Sequence, residues 1–164
     1  MIRSFLAAGA LLSSAWSAAA APVDPYAALA LYNGAWSVQA NRGASIRLEN
    51  HCARAWQFYS CEQVVNGKSA AMVVYLPTGA TAAGQTYRTE ALAVDGRTPG
   101  DWTVLTIRGD DWIYLPAKPK IGQAFTRVLN HFTGSDRIHF DIQSSADGKT
   151  WTTTSQGEEQ RLAK

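Results

Sequence analysis

Cysteine is almost missing from this chain: Cys52 and Cys61 are the only two. Without clustered histidines they do not form a zinc-ligand pattern, and histidine itself occurs only three times. Charge is scarce as well. Acidic and basic residues make up 17 % of the chain, and the formal net charge of +2 gives no field to gather nucleic acid or an anionic membrane surface. The apolar run at 5–16 falls short of the about 20 residues that a membrane-spanning helix requires. Catalytic signatures are absent: there is no G-x-S-x-G elbow, H-E-x-x-H pair, Walker loop, dinucleotide fingerprint or Cys-x-x-Cys-His haem attachment site. No pair of carboxylates is set apart for glycoside hydrolysis. The sequence therefore nominates no catalytic residue, no metal ligand and no cofactor.

What is present begins with an export signal. Arg3 supplies a basic start, an apolar stretch follows, and small residues crowd 17–21, the order of a secretory signal peptide. Ala18-Ala19-Ala20 satisfies the A-x-A rule, so cleavage is expected after Ala20, leaving residues 21–164 as one domain in the periplasm or outside the cell. Only Arg3 is lost among the charged residues, so the exported chain stays near neutral. In an oxidising compartment the two cysteines are expected to form an intramolecular disulfide.

Beyond the signal, Asp24 and Pro25 open a short helix expected over 25–32, which Gly34 ends. The helical period then disappears. Segments rich in Val, Ile, Thr, Tyr, Phe and Trp alternate with turn signals, predicting strands at 36–40, 45–49, 56–65, 68–76, 86–92, 102–108, 111–115, 125–132, 137–144 and 151–161. Asn66-Gly67 suits a type I′ turn and Gly109-Asp110 a type II′ turn, while Asp95-Gly96 and Asp147-Gly148 mark further reversals. Successive hairpins predict an all-β antiparallel up-and-down meander. About ten such strands close into a barrel more readily than they stay flat.

Hairpin parity predicts which residues share a face. Around Gly109-Asp110, Ile107 opposes Trp112 and Leu105 opposes Tyr114, a clear inner face. Across Asn66-Gly67, a strict two-residue turn groups Tyr59 and Cys61 with Met72 and Val74. An even loop at 133–136 puts Phe125, Arg127, Leu129 and His131 with Ile138, Phe140 and Ile142. A two-residue turn at Asp147-Gly148 then adds Trp151 to that face.

Asn33-Gly34-Ala35-Trp36, between the short helix and the first strand, resembles the glycine–any–tryptophan signature of the lipocalins and the wider calycin barrels. The resemblance implies that Trp36 closes the barrel floor and packs against an arginine of the last strand, for which Arg161 is the match. The aspartate-containing loop signature of classical lipocalins is not evident. The chain also looks like an uncharacterised secreted bacterial family with a lipocalin-like barrel. In that family, stretches like Cys61–Gly67 (Cys-Glu-Gln-x-Val-Asn-Gly) and Ser145–Trp151 (Ser-x-Asp-Gly-Lys-Thr-Trp) recur, and the function is unassigned. The second stretch is similar to the Asp-box of sialidases, one residue short and present once. It reads as a turn device in which Asp147 accepts backbone N–H bonds, Gly148 reverses the chain and Trp151 anchors it.

The candidate ligand site consists of Arg127 and His131 on the face just described, with Trp112, Tyr114 and Phe140 nearby. Buried cations need partners. Two inward cations would suit a small apolar ligand with an anionic or carbonyl head, such as a fatty acid. Three functions are weighed: an exported barrel holding a small apolar molecule, a non-catalytic structural or interaction protein of the envelope with a side-chain-filled barrel, and an enzyme using His131 as acid or base. Lys118-Pro119-Lys120 is a candidate lid at the barrel mouth or a solvated loop. Oligomeric state is not readable from the sequence.

Overall fold

Turn chemistry sets most of the strand boundaries in the computed structural model, which describes residues 24–81, 84–98, 102–117 and 123–163. The expected signal peptide and Lys118-Pro119-Lys120 lie outside the described residues. At Asn66-Gly67 both φ angles are positive, 49° and 76°, and Val65 stands opposite Lys68, the type I′ arrangement expected for this pair. Gly109 takes φ 58° and joins Arg108 directly to Asp111.

Among the described residues, the strands are β1 (Gly34–Ala40), β2 (Ile46–Ala55), β3 (Phe58–Val65), β4 (Lys68–Thr81), β5 (Gly84–Ala93), β6 (Thr103–Arg108), β7 (Asp111–Pro116), β8 (Phe125–Thr133), β9 (Arg137–Ser145) and β10 (Thr152–Arg161). Each pairs antiparallel with the next, and β10 returns to β1, giving a closed ten-stranded barrel. Closure leaves no edge strand open to further pairing. β2 runs beyond its expected end to Ala55, and Trp56-Gln57 forms the turn into β3. Cys52 stands directly opposite Cys61, and their disulfide ties β2 to β3.

The segment before β1 differs from the expected helix. Asp24 holds a turn, its carboxylate accepting the Tyr26 N–H at 3.0 Å and its carbonyl the Ala27 N–H at 3.2 Å. A short 3-10 helix, Leu29–Tyr32, follows. Tyr26, Leu29 and Tyr32 are all buried, and a spacing of three is the period at which 3-10 side chains eclipse. That period serves this segment better than 3.6 because all three side chains must enter one end of the barrel.

Two face assignments from parity are overturned. Between β3 and β4 the register shifts after Gln63, so Cys61 opposes Val73 and Tyr59 opposes Tyr75, not Met72 and Val74. Such a bulge adds one residue to one strand and exchanges its faces. Between β8 and β9, Thr133 pairs with Arg137, which leaves the odd loop 134–136. Asn130 and Phe132 therefore share the inner face with Phe140 and Ile138, while Leu129 and His131 turn outward. Around Gly109-Asp110 parity holds, and Leu105, Ile107 and Trp112 are buried.

Candidate functional site

One end of the barrel is plugged by side chains. Trp36 is completely buried, and Arg161, its register partner on β10, lies over the indole at 4.1 Å. The guanidinium donates to the Ser135 and Asn33 carbonyls, each at 2.6 Å, and to Leu31 O. The Trp36 indole N–H donates to Tyr32 O at 3.1 Å. Gly34, at φ 115°, makes room for this arrangement, since a Cβ there would stand 2.8 Å from a guanidinium nitrogen. Trp112 and Phe132, 4.7 Å between ring centroids, fill the rest of this end with Ile138, Leu105 and Leu29.

Above the plug lies a cavity of about 610 Å³. Val38, Val73, Ala91, Val128, Phe140 and Ile142 give it a mostly apolar wall, interrupted by Gln63, Thr89, Thr103, Thr126 and Asn130. Where cavity meets plug, polar side chains gather. Tyr32 rises from the 3-10 helix, Tyr75 and Tyr114 come from β4 and β7, and Glu159 comes from β10. The Tyr32 hydroxyl faces both the Glu159 carboxyl and the Asn50 amide, and the Tyr114 hydroxyl faces that of Tyr75. Burial is the main cause in pushing all these phenols up, Tyr75 to about 12, so they remain protonated. Glu159 is 6 % exposed, and burial raises its carboxyl to about 7, with the Tyr32 hydrogen bond opposing. Asn50 Oδ1 accepts from Gln63 Nε2 at 3.3 Å, but Asn50 Nδ2 and Glu159 Oε2 are buried without a hydrogen-bond partner. Buried polar atoms without partners are rare in folded proteins and commonly await water or a ligand.

The expected site residues separate. Tyr114 and Phe140 line the cavity as expected. Trp112 sits beneath it, in the plug. His131 is on the outer wall, more than half exposed, with Nδ1 2.7 Å from Asp111 Oδ1. Arg127 touches the cavity margin, but its guanidinium lies on the Trp151 ring at 4.2 Å and its Nε donates to Gln143. The inward cationic pair is therefore corrected, because the odd loop after β8 reverses its parity. An enzymatic role for His131 in the cavity loses its geometry for the same reason.

Asp147 behaves as a turn device. It accepts the Lys149 and Thr150 N–H groups at 2.8 Å each and the Ser145 hydroxyl at 2.9 Å, and Gly148 takes φ 70°. The backbone bonds from Thr150 and Lys149 pull its carboxyl down to about 2. The connection spans residues 146–151 and is longer than the expected two-residue turn. Trp151 is half-buried, with the Arg127 guanidinium on its ring.

Glu159, Asn50, Tyr32 and Tyr75 were not singled out from the sequence. For Glu159 a signal existed: it precedes Arg161 by two positions on one strand, so an Arg161 turned toward Trp36 carries Glu159 to the same face. Asn50 and Tyr75 had no comparable anchor.

Outside the barrel, β3 to β5 carry an apolar stretch that includes Phe58, Val74, Leu76 and Leu92, and Trp56 stands 88 % exposed at the tip of the β2–β3 turn. Among the described residues no helix is long and apolar enough to cross a membrane, and no group of three or more His, Cys, Asp or Glu could hold a metal ion. Searches against family models and curated proteins return no match to this chain.

Proposed function

We propose that this protein is an exported, lipocalin-like carrier that holds a small, largely apolar molecule inside its barrel. The observation that carries the reading is the cavity of about 610 Å³, a volume within the range of small-molecule sites and walled mainly by Val, Ala, Ile and Phe. The Trp36–Arg161 plug supports it by closing one end beneath the cavity. The Cys52–Cys61 disulfide is compatible with export to an oxidising compartment. A fatty-acid ligand loses its main support, since His131 lies on the outer wall and the Arg127 guanidinium, at the cavity margin, is engaged by Trp151 and Gln143.

The rival reading is a structural or interaction protein of the envelope. The outer-wall apolar stretch and Trp56 favour it, while the unfilled interior weighs against the filled barrel that it assumed. Titration with the uncharged fluorescent probe N-phenyl-1-naphthylamine distinguishes the two. Saturable one-to-one binding is expected, lost in an Ala91→Trp, Val128→Phe double variant that fills the cavity and retained in the outer-wall variant Leu76→Thr. Equal binding by the filled variant, with its fold intact by circular dichroism, or no binding by the native protein, would refute the carrier reading.

A further inference from the structure

We infer that the polar floor of the cavity receives the ammonium head of an apolar amine, with the Glu159 carboxylate as counter-ion and the phenols of Tyr32, Tyr75 and Tyr114 around it. The inference deepens the carrier reading and rests on it. Glu159 lines the cavity, is 6 % exposed, and has Oε2 buried without a hydrogen-bond partner. A carboxylate oxygen can only accept, so a ligand that satisfies it must donate. Among the described residues no side-chain cation does so. The Arg127 guanidinium is turned onto Trp151, and that of Arg161, on the same strand as Glu159, is bound to backbone carbonyls below the cavity.

Among the described residues, the other groups facing Glu159 are uncharged. Tyr32 from the 3-10 helix and Tyr114 from β7 both sense its charge, with Tyr75 from β4 behind them. Aromatic rings beside a buried acid suit a cation, because their faces carry negative potential. They suit a carboxylate head poorly, since two carboxylates in one dry site repel. Asn50 can take part. Turning the Asn50 and Gln63 amides end for end keeps their mutual hydrogen bond in the reverse direction. It then presents Asn50 Oδ1 in place of the unpartnered Nδ2.

Because burial holds the Glu159 carboxyl at about 7 in the free protein, amine affinity should depend on pH. An alkylamine stays protonated to about pH 10, like lysine. Binding then strengthens as pH rises through the Glu159 titration and weakens as pH falls, a mode of release on acidification.

The test displaces N-phenyl-1-naphthylamine with decylamine, decanol and decanoate at pH 6 and pH 8.5. In the native protein decylamine should compete best, and its affinity should rise about ten-fold between the two pH values. In Glu159→Gln, decylamine binding read directly by isothermal titration calorimetry should fall to the level of decanol and lose its pH dependence. Equal competition by decanol or decanoate, a pH-independent decylamine affinity, or failure of all three against a bound probe would overturn the head-group inference alone. Failure of the native protein to bind the probe would overturn the carrier reading and this inference with it.

Discussion

Glu159 makes the residue scale consequential, because a single buried acid links stability to pH. Its carboxyl stands at about 7 in the folded protein against an ordinary 4.5, with burial as the main cause. A raised carboxyl stabilises fully below the unfolded pKa, and that contribution is lost as pH rises through the folded one. Stability should therefore fall between about pH 4.5 and pH 7, by roughly 3 kcal/mol, and level off above. Glu159→Gln keeps the shape and removes the titration. Urea denaturation should show the variant more stable than the native protein at pH 8, with a flatter profile between pH 5 and pH 8. A native profile already flat over that range would place the carboxyl in contact with water. Asp147 has the opposite sign: its carboxyl is held at about 2, so its contribution is present above the ordinary 3.8 and lost as pH falls through 2.

At the scale of elements, hairpins were legible where turn residues dictate length and illegible where they do not. Asn66-Gly67 and Gly109-Asp110 demand positive φ at set positions, and both form two-residue turns. The connection 134–136 has no such constraint on count; one residue more or fewer reverses every side chain beyond it, as His131 and Arg127 show. The bulge after Gln63 acts in the same way, placing Val73 and Tyr75, not Met72 and Val74, on the face of Tyr59 and Cys61. Trp56 is a separate anomaly. It holds φ 53° in a two-residue turn, a left-handed conformation that strains a bulky side chain, and its ring is 88 % exposed. Trp56→Gly should relieve that strain at little loss of packing and stabilise the protein by about 1 kcal/mol in urea denaturation. A loss of stability would show that the ring is held against the barrel.

For the whole molecule, closure depends on contacts between the two ends of the chain. The β1–β10 seam aligns Trp36 with Arg161, and the guanidinium also ties down the carbonyls of Leu31, Asn33 and Ser135. Trp36→Ala should cost about 3–5 kcal/mol through the void it leaves. Arg161→Ala should cost about 1–3 kcal/mol, chiefly by leaving carbonyls without donors. Because the side chains touch, the double variant should lose less than the sum by 0.5 kcal/mol or more, on the order of measured couplings between contacting residues. Strict additivity in that denaturation cycle would remove the stacked pair as the closing device. Gly157 contributes to the same seam from β10: a Cβ there would meet Gln39 O at 2.3 Å and the Phe140 ring at 2.6 Å. Strand and aromatic ring can approach only because that side chain is absent.

The resemblance at Gly34-Ala35-Trp36 implied the partnership of Trp36 with Arg161, and the residues by themselves determined the all-β class, about ten strands and the pairing of Cys52 with Cys61. These follow from local chemistry: alternating β-branched and aromatic residues, turn residues with special φ, and two cysteines with only each other. The tertiary structure alone decided the contents of the interior. Whether β8 turns His131 or Val128 and Asn130 to the cavity depends on one residue in a loop and on the register that closure imposes. Glu159 was reachable by counting back from Arg161, but its meeting with Tyr32, Tyr75 and Tyr114 joins the 3-10 helix, β4, β7 and β10. Periodicity orders neighbours along a strand; it carries no information on which side chains meet across a closed barrel, and there the candidate site lies.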